Sequence, residues 1–301
     1  MSQPALSPTG TLLPASAEAR RILEALQCED ASEAARRLSA WQPEAPLDRA
    51  WRLTLSGEIA LLRKELMAAA VRLCQAFTQA RILAADPMEQ DVATADRLAA
   101  RALLQLGRAY RRQDRVDDAR RAHRAAYEGI RRFGSAEESW LIQRELALDA
   151  RIAHDFEAAI EHIDQALAFV SQCVEPASQK RAVCLTEWVY IRLGQERWEQ
   201  AVAKAREAMI AWEEHDRSSD GVPRAEALLG TTHLRRGQSL IEKDRQRAGS
   251  ALDAAIQTMM HAREALEAFG ADQDPDIALC NEQIDFAQRL RASLELGSLQ
   301  E

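Results

Sequence analysis

Lysine and asparagine are nearly missing from these 301 residues. Lysine occurs only at Lys64, Lys180, Lys204 and Lys243, and asparagine only at Asn281. Positive charge therefore belongs to arginine, whose planar fork pairs bidentately with carboxylates and phosphates. Aromatic residues make up 5%, with 12 glycines and 9 prolines. So few turn formers and strand formers exclude an all-β chain. No uninterrupted apolar run approaches the roughly 18 residues that a membrane-spanning helix requires. The net charge of -8 argues against nucleic acid and against an anionic membrane, since both demand a basic surface. The five cysteines, Cys28, Cys74, Cys173, Cys184 and Cys280, are odd in number, scattered and without a Cys-x-x-Cys pair. Each falls in an apolar helical pattern and is expected as a small buried hydrophobe in a reducing compartment.

Catalytic signatures are missing as well. The sequence has no Gly-x-x-x-x-Gly-Lys, Gly-x-Gly-x-x-Gly or Gly-x-Ser-x-Gly, the turns that cradle phosphates or expose a nucleophile. The six histidines form no His-Glu-x-x-His, and His154 and His162, eight apart, make a poor metal pair. The acidic doublets Asp117-Asp118, Glu137-Glu138 and Glu213-Glu214 read as helix-dipole partners and solvated faces. The expectation is a protein that is not an enzyme and needs no cofactor or metal.

What remains is rich in Ala, Leu, Arg and Glu, strong helix formers, and it repeats. Asp114-Arg-Val-Asp-Asp-Ala119 recurs as His154-Asp-Phe-Glu-Ala-Ala159 and Glu196-Arg-Trp-Glu-Gln-Ala201. Each is a polar turn, a large apolar residue, an acid, and an alanine three places after the apolar residue. Seven residues later comes a second alanine: Ala126, Ala166 or Ala208. Two helical turns apart, such a pair shares a face and lets a neighbouring helix approach closely. Weaker copies are Glu65-Leu-Met-Ala-Ala69 with Ala76, Ala251-Leu-Asp-Ala-Ala255 with Ala262, and Ala31-Ser-Glu-Ala-Ala35. An amphipathic first helix precedes each, clearest in Leu103-Leu-Gln-Leu-Gly107-Arg-Ala-Tyr110.

Leu103, Leu106-Gly107, Tyr110, Ala119 and Ala126 resemble the tetratricopeptide repeat (TPR) pattern. The stretch Ala262 to Ile277, with Gly270 as a helix stop and Asp274-Pro275 as a start, is similar to the junctions of the 42-residue repeats of kinesin light chains and bacterial regulators. The resemblance implies an all-α, right-handed α-solenoid of stacked antiparallel hairpins with about thirteen helices. Residues 1–15 read as a flexible leader without the features of a signal peptide, and residues 16–296 as a single repeat domain. Its central units span about 90–134, 135–175 and 176–217, followed by an extended unit at 222–270 and a capping helix at 275–296. Two points stay open. The register around 181–194 is ambiguous because Gly194 suggests a slip. Gly230 and Ala255 are too far apart for an ordinary unit, so either the helices are longer or residues 236–250 form an extended connection. Of the tryptophans, Trp188 and Trp198 are expected in the core, whereas Trp51 and Trp140, at first-helix starts, are expected to face outward.

In the tetratricopeptide family the first helices line a concave groove. Carried over, that groove would show Arg101, Gln105, Arg108 and Arg112, then Arg144, Glu145 and Arg151. Five arginines on one face of an acidic protein would favour an acidic or phosphorylated peptide. The family's clamp for a terminal carboxylate, built from Lys and Asn, cannot be assembled here. The resulting expectation is a cytoplasmic protein-interaction scaffold or adaptor holding an extended protein or peptide partner, with no nucleic acid and no membrane. A ligand- or peptide-sensing regulator is the alternative, a helical-bundle enzyme a distant third, and homo-oligomerisation stays open.

Overall fold

A computed structural model describes residues 12–86, 92–173, 177–269 and 274–297. Among them lie thirteen α-helices, in two compact units of residues 1–175 and 176–301. The first unit holds α1 (Ala17–Gln27), α2 (Ala31–Ala40), α3 (Pro46–Leu62), α4 (Leu66–Ala84), α5 (Val92–Arg112), α6 (Val116–Ile130), α7 (Ala136–Ile152) and α8 (Phe156–Val170). The second holds α9 (Ala177–Gly194), α10 (Trp198–His215), α11 (Gly221–Leu240), α12 (Arg245–Ala268) and α13 (Pro275–Gly297). The sequence predicts helix breaks near 28–30, 42–46, 86–90, 134–136, 174–177, 217–222 and 270–275. Those near 86–90, 174–177 and 270–275, with the Gly270 stop, fall wholly or partly outside the described residues; the other four all separate helices.

One turn recurs five times. Glu29, Lys64, Asp114, His154 and Glu196 all have φ between 56° and 62°, the left-handed conformation that ends a helix. In each case the following amide closes a six-residue ring. Asp30 donates to Ala25 O, Glu65 to Ala60 O, Arg115 to Tyr110 O, Asp155 to Ala150 O and Arg197 to Arg192 O, all at 2.9–3.0 Å. The ring satisfies carbonyls that the first helix leaves open, and the second helix starts at once. None of the five residues is glycine, so each bears a steric cost of about 1 kcal/mol.

Counting from these turns places the repeat residues in register. Five residues after the left-handed residue stand Ala34, Ala69, Ala119, Ala159 and Ala201, all fully buried. The first hairpin is therefore aligned on Ala34 and not on Ala35, and the position twelve after its turn is the buried Trp41. Seven residues before the turn stand Ile22, Gly57, Gly107, Ala147 and Val189. Val189 thus settles the ambiguous register, with Gly194 ending α9 and not marking the crossing.

At the crossing, small faces large. A methyl group on Gly57 would collide with the branch of Leu73, one on Gly107 with the His123 ring, and one on Gly230 with Met259. The first two pairs are 16 residues apart and the third 29. The thirteen additional residues lengthen α11 and α12 beyond their crossing towards a short turn at residues 241–244. Longer helices, and no extended connection over 236–250, account for the anomalous spacing.

Three expectations are corrected. Trp51 is fully buried and Trp140 nearly so, whereas Trp188 and Trp198 are only half-buried. The start of a first helix here lies against the preceding hairpin: Trp51 sits in one cluster with Leu55, Ile22 and Leu98. Among the cysteines only Cys184 and Cys280 are buried; Cys28 and Cys74 are exposed and Cys173 is intermediate. Helical periodicity located those thiols but not which face met a neighbour. The leader is not wholly loose either, since Leu12 and Pro14 are buried. No described helix is long and apolar enough to cross a membrane.

Two substitutions test this geometry by thermal or urea unfolding. Gly57→Ala should destabilise by about 1–3 kcal/mol through overpacking, although alanine is the better helix former by about 1 kcal/mol. Glu196→Gly should raise stability by a few tenths to 1 kcal/mol by relieving the left-handed residue. A stabilised Gly57→Ala protein would contradict the close crossing.

Candidate functional site

The first helices of unit 1 carry matching charge stripes. On α5, Arg97, Arg101, Arg108 and Arg111 fall on one face, at intervals of three, four and seven residues. On α7, Glu138, Glu145 and Asp149 do the same. The structure pairs them rung by rung. Arg97 binds Glu138 at 2.9 Å, Arg108 binds Glu145 at 2.7 Å, and Arg111 binds Asp149 at 2.8 Å while also reaching Glu145. Towards the preceding hairpin, Arg101 donates from Nε and Nη2 to the two oxygens of Glu58 on α3 at 2.7 and 2.9 Å. Its guanidinium also lies over the Trp51 ring, 5.6 Å from the centroid.

Local structure holds these groups in place. Ser135 caps α7 and Glu138 completes the capping box, accepting from the Ser135 amide at 3.0 Å. Glu138 therefore fixes the start of α7 and pairs with Arg97 in one geometry. His123 on α6 fills the notch at Gly107 and is fully buried. Its Nε2 donates to Leu104 O at 3.1 Å and its Nδ1 to Asp149 Oδ2 at 2.5 Å. The ring thus contacts both neighbouring helices at once, the α5 backbone through Nε2 and the α7 carboxylate through Nδ1. The crossing of α5 with α6 is thereby joined to the ion cluster on α7.

Glu145 is the centre of that cluster. Burial alone would push its carboxyl up, but attraction to Arg108, then Arg111 and Arg144, outweighs it and holds the group well below the usual carboxylate range. Three guanidinium groups, those of Arg108, Arg111 and Arg144, converge on this one buried carboxylate.

The residues expected to line a groove are found as follows. Arg101, Gln105, Arg108, Arg144 and Arg151 are half-buried, and Arg112 is exposed. Gln105 accepts from Arg108 at 3.4 Å, and Arg112 donates to Leu61 O at 3.0 Å. Arg144 Nη1 stands 3.6 Å from Glu145. The arginines are thus interleaved with carboxylates and do not form an unbroken cationic strip. Sequence reasoning missed Glu58, Arg97, Arg111, His123 and Asp149. The same-face placement of Arg97, Arg108 and Arg111 on one first helix, and of Glu138, Glu145 and Asp149 on the next, was the signal that could have found the ladder. Among the described residues no group of three or more His, Cys, Asp or Glu is arranged to hold a metal ion.

Glu145→Gln tests the cluster. Removing the counter-charge should cost about 3–5 kcal/mol at neutral pH, measured by urea unfolding. The folded carboxyl lies below its unfolded value of 4.5, so its contribution is complete above that pH and is lost as pH falls further. Wild type should therefore lose stability to acid more steeply than Glu145→Gln, by up to about 1.4 kcal/mol per pH unit below that value. Equal acid slopes would show that Glu145 is not held ionised by the arginines.

No protein-family model matches the sequence, and no curated protein matches it. Solved structures do. The apo form of RapI superposes with a TM-score of 0.64 at 10% identity, covering 94% of this chain and 73% of its own. The apo quorum sensor NprR from B. thuringiensis gives 0.60 at 13% identity, covering 92% and 69%. The TPR-like repeats of a kinesin light chain from Podosopora anserina give 0.53 at 16% identity, covering 72% and 97%. At such identities the likeness is one of fold, and it agrees with the recurring turns and nested crossings: the chain is an all-α tetratricopeptide-repeat-like protein.

Proposed function

We propose that this protein is a non-enzymatic interaction scaffold that holds an extended, acidic peptide segment along the first-helix face of unit 1. The observation that carries this reading is the convergence of three guanidinium groups on Glu145. Arg108 and Arg144 each keep part of their surface accessible, and Arg112 is exposed on the same helix as Arg108. Arginines already oriented by buried carboxylates lose little freedom on meeting a further carboxylate or phosphate, which favours binding. A net charge of -8 makes a local positive surface selective, because acidic segments are repelled elsewhere.

The second reading, a peptide-sensing regulator, is favoured by the company the fold keeps. NprR has been solved with its cognate peptide NprX, and a Rap protein with competence and sporulation factor. The two readings differ in whether a bound peptide selects between two conformations.

Fluorescence anisotropy with a library of ten-residue peptides tests the binding that both readings share. Peptides rich in Asp and Glu should bind, lysine-rich ones should not, and raising the salt should weaken binding. Arg108→Ala and Arg144→Ala should each weaken it about tenfold, equivalent to about 1.4 kcal/mol. Arg112→Glu, at an exposed position, should act in the same direction without unfolding the protein. Affinity indifferent to all three substitutions and to salt would remove the site from this face. Small-angle scattering with a bound peptide should leave the radius of gyration unchanged for a scaffold and alter it for a sensor.

A further inference from the structure

The stretch before α1 is not helical, and two of its residues are buried. Helix α1 begins at Ala17 with Ser16 as its cap, yet Leu12 is only 2% exposed and Pro14 is also buried. Leu12 belongs to the apolar cluster that contains Trp51 and Leu55 of α3 and Leu98 and Ala99 of α5, and Leu13 packs against the same cluster. Leu12 also forms one wall of a cavity of about 70 Å³ whose other walls include Arg97, Arg101 and Leu104 of α5 and Leu141 of α7. Arg20 anchors the end of the stretch, donating to Ala15 O at 2.7 Å. A non-helical segment thus inserts apolar side chains between the first helices, in the manner of an extended peptide in a groove.

The seat does not depend on its occupant for its walls. Arg101 is held by Glu58 and Trp51, and Arg97 by Glu138, all contacts between helices. If the segment withdrew, an apolar notch flanked by two fixed guanidinium groups would remain.

We propose that this notch is a peptide-binding subsite and that the chain's own Leu12–Leu13–Pro14 segment is its resident occupant, which an incoming peptide displaces. The inference rests on the peptide-binding reading above and adds both an apolar anchor to the acidic preference and an internal competitor. A competitor bound in the same molecule lowers the apparent affinity for any outside peptide by the fraction of time the seat is open.

The test uses the full chain and a fluorescently labelled synthetic peptide of residues 8–16. The peptide should bind a Leu12→Asp variant at least tenfold more tightly than wild type, and should restore that variant's melting temperature in trans. The same peptide carrying Asp at position 12 should do neither. Circular dichroism establishes that the variant is folded. If it is not, hydrogen exchange on wild type decides: the Leu12 and Leu13 amides should exchange well before those of α3, α5 and α7. Protection equal to that of the helices would make the segment a permanent strap and overturn the proposal, as would equal affinity of the labelled peptide for wild type and variant. Acidic library peptides that bind both proteins equally would leave the scaffold reading standing and sink only the internal competitor. If no peptide binds either protein, both fail together.

Discussion

Everything in this fold depends on how closely two helices of a hairpin are allowed to approach. Seven residues before each left-handed turn, α3 and α5 place a glycine where the partner helix brings Leu73 or His123. Alanine five residues after the turn is fully buried in all five hairpins that have this turn. A glycine and a bulky partner fill the same space as two mid-sized residues, so the fit tolerates sequence drift while the separation stays fixed. The turn supplies the second half of the constraint. The same six-residue hydrogen-bonded ring closes each of the five, even though no glycine stands there to make the left-handed residue inexpensive.

His123 shows how packing and electrostatics become one device. It fills the space that Gly107 vacates, and its ring joins a backbone carbonyl of α5 to Asp149 of α7. The rungs between α5 and α7 are therefore positioned by the hairpin crossing, not by long flexible side chains searching in solvent. Buried ion pairs contribute little net stability when compared with apolar packing, but they penalise any other register strongly. The cluster around Glu145 serves to specify which face of α7 meets α5. It also leaves guanidinium groups oriented and half-exposed, which links the stability of unit 1 to the chemistry its surface can offer.

The second unit solves the same problem with different residues. Gly230 and Met259 repeat the small-to-large crossing, but α11 and α12 continue well beyond it before turning. Arg224 on α11 joins Asp274 and Asp276 at the start of α13, so an ion pair again fixes where the next first helix begins.

Helix content, the number of helices and the position of most turns were legible in the sequence, because alanine pairs seven residues apart recur after most of the turns and mark a close helix crossing. The acidic balance and the scarcity of lysine were equally plain. What the sequence did not disclose was which polar residues turn inward. Arg101 and Arg108 looked like solvent-facing cations because a helical wheel shows one helix at a time, and Glu58, Glu145 and Asp149 stand on other helices. Trp51 and Leu12 were misjudged for the same reason, since each is covered by a segment distant in sequence. Periodicity along one chain determines which residues share a face; only the tertiary structure decides what that face meets, because burial is a property of two surfaces together.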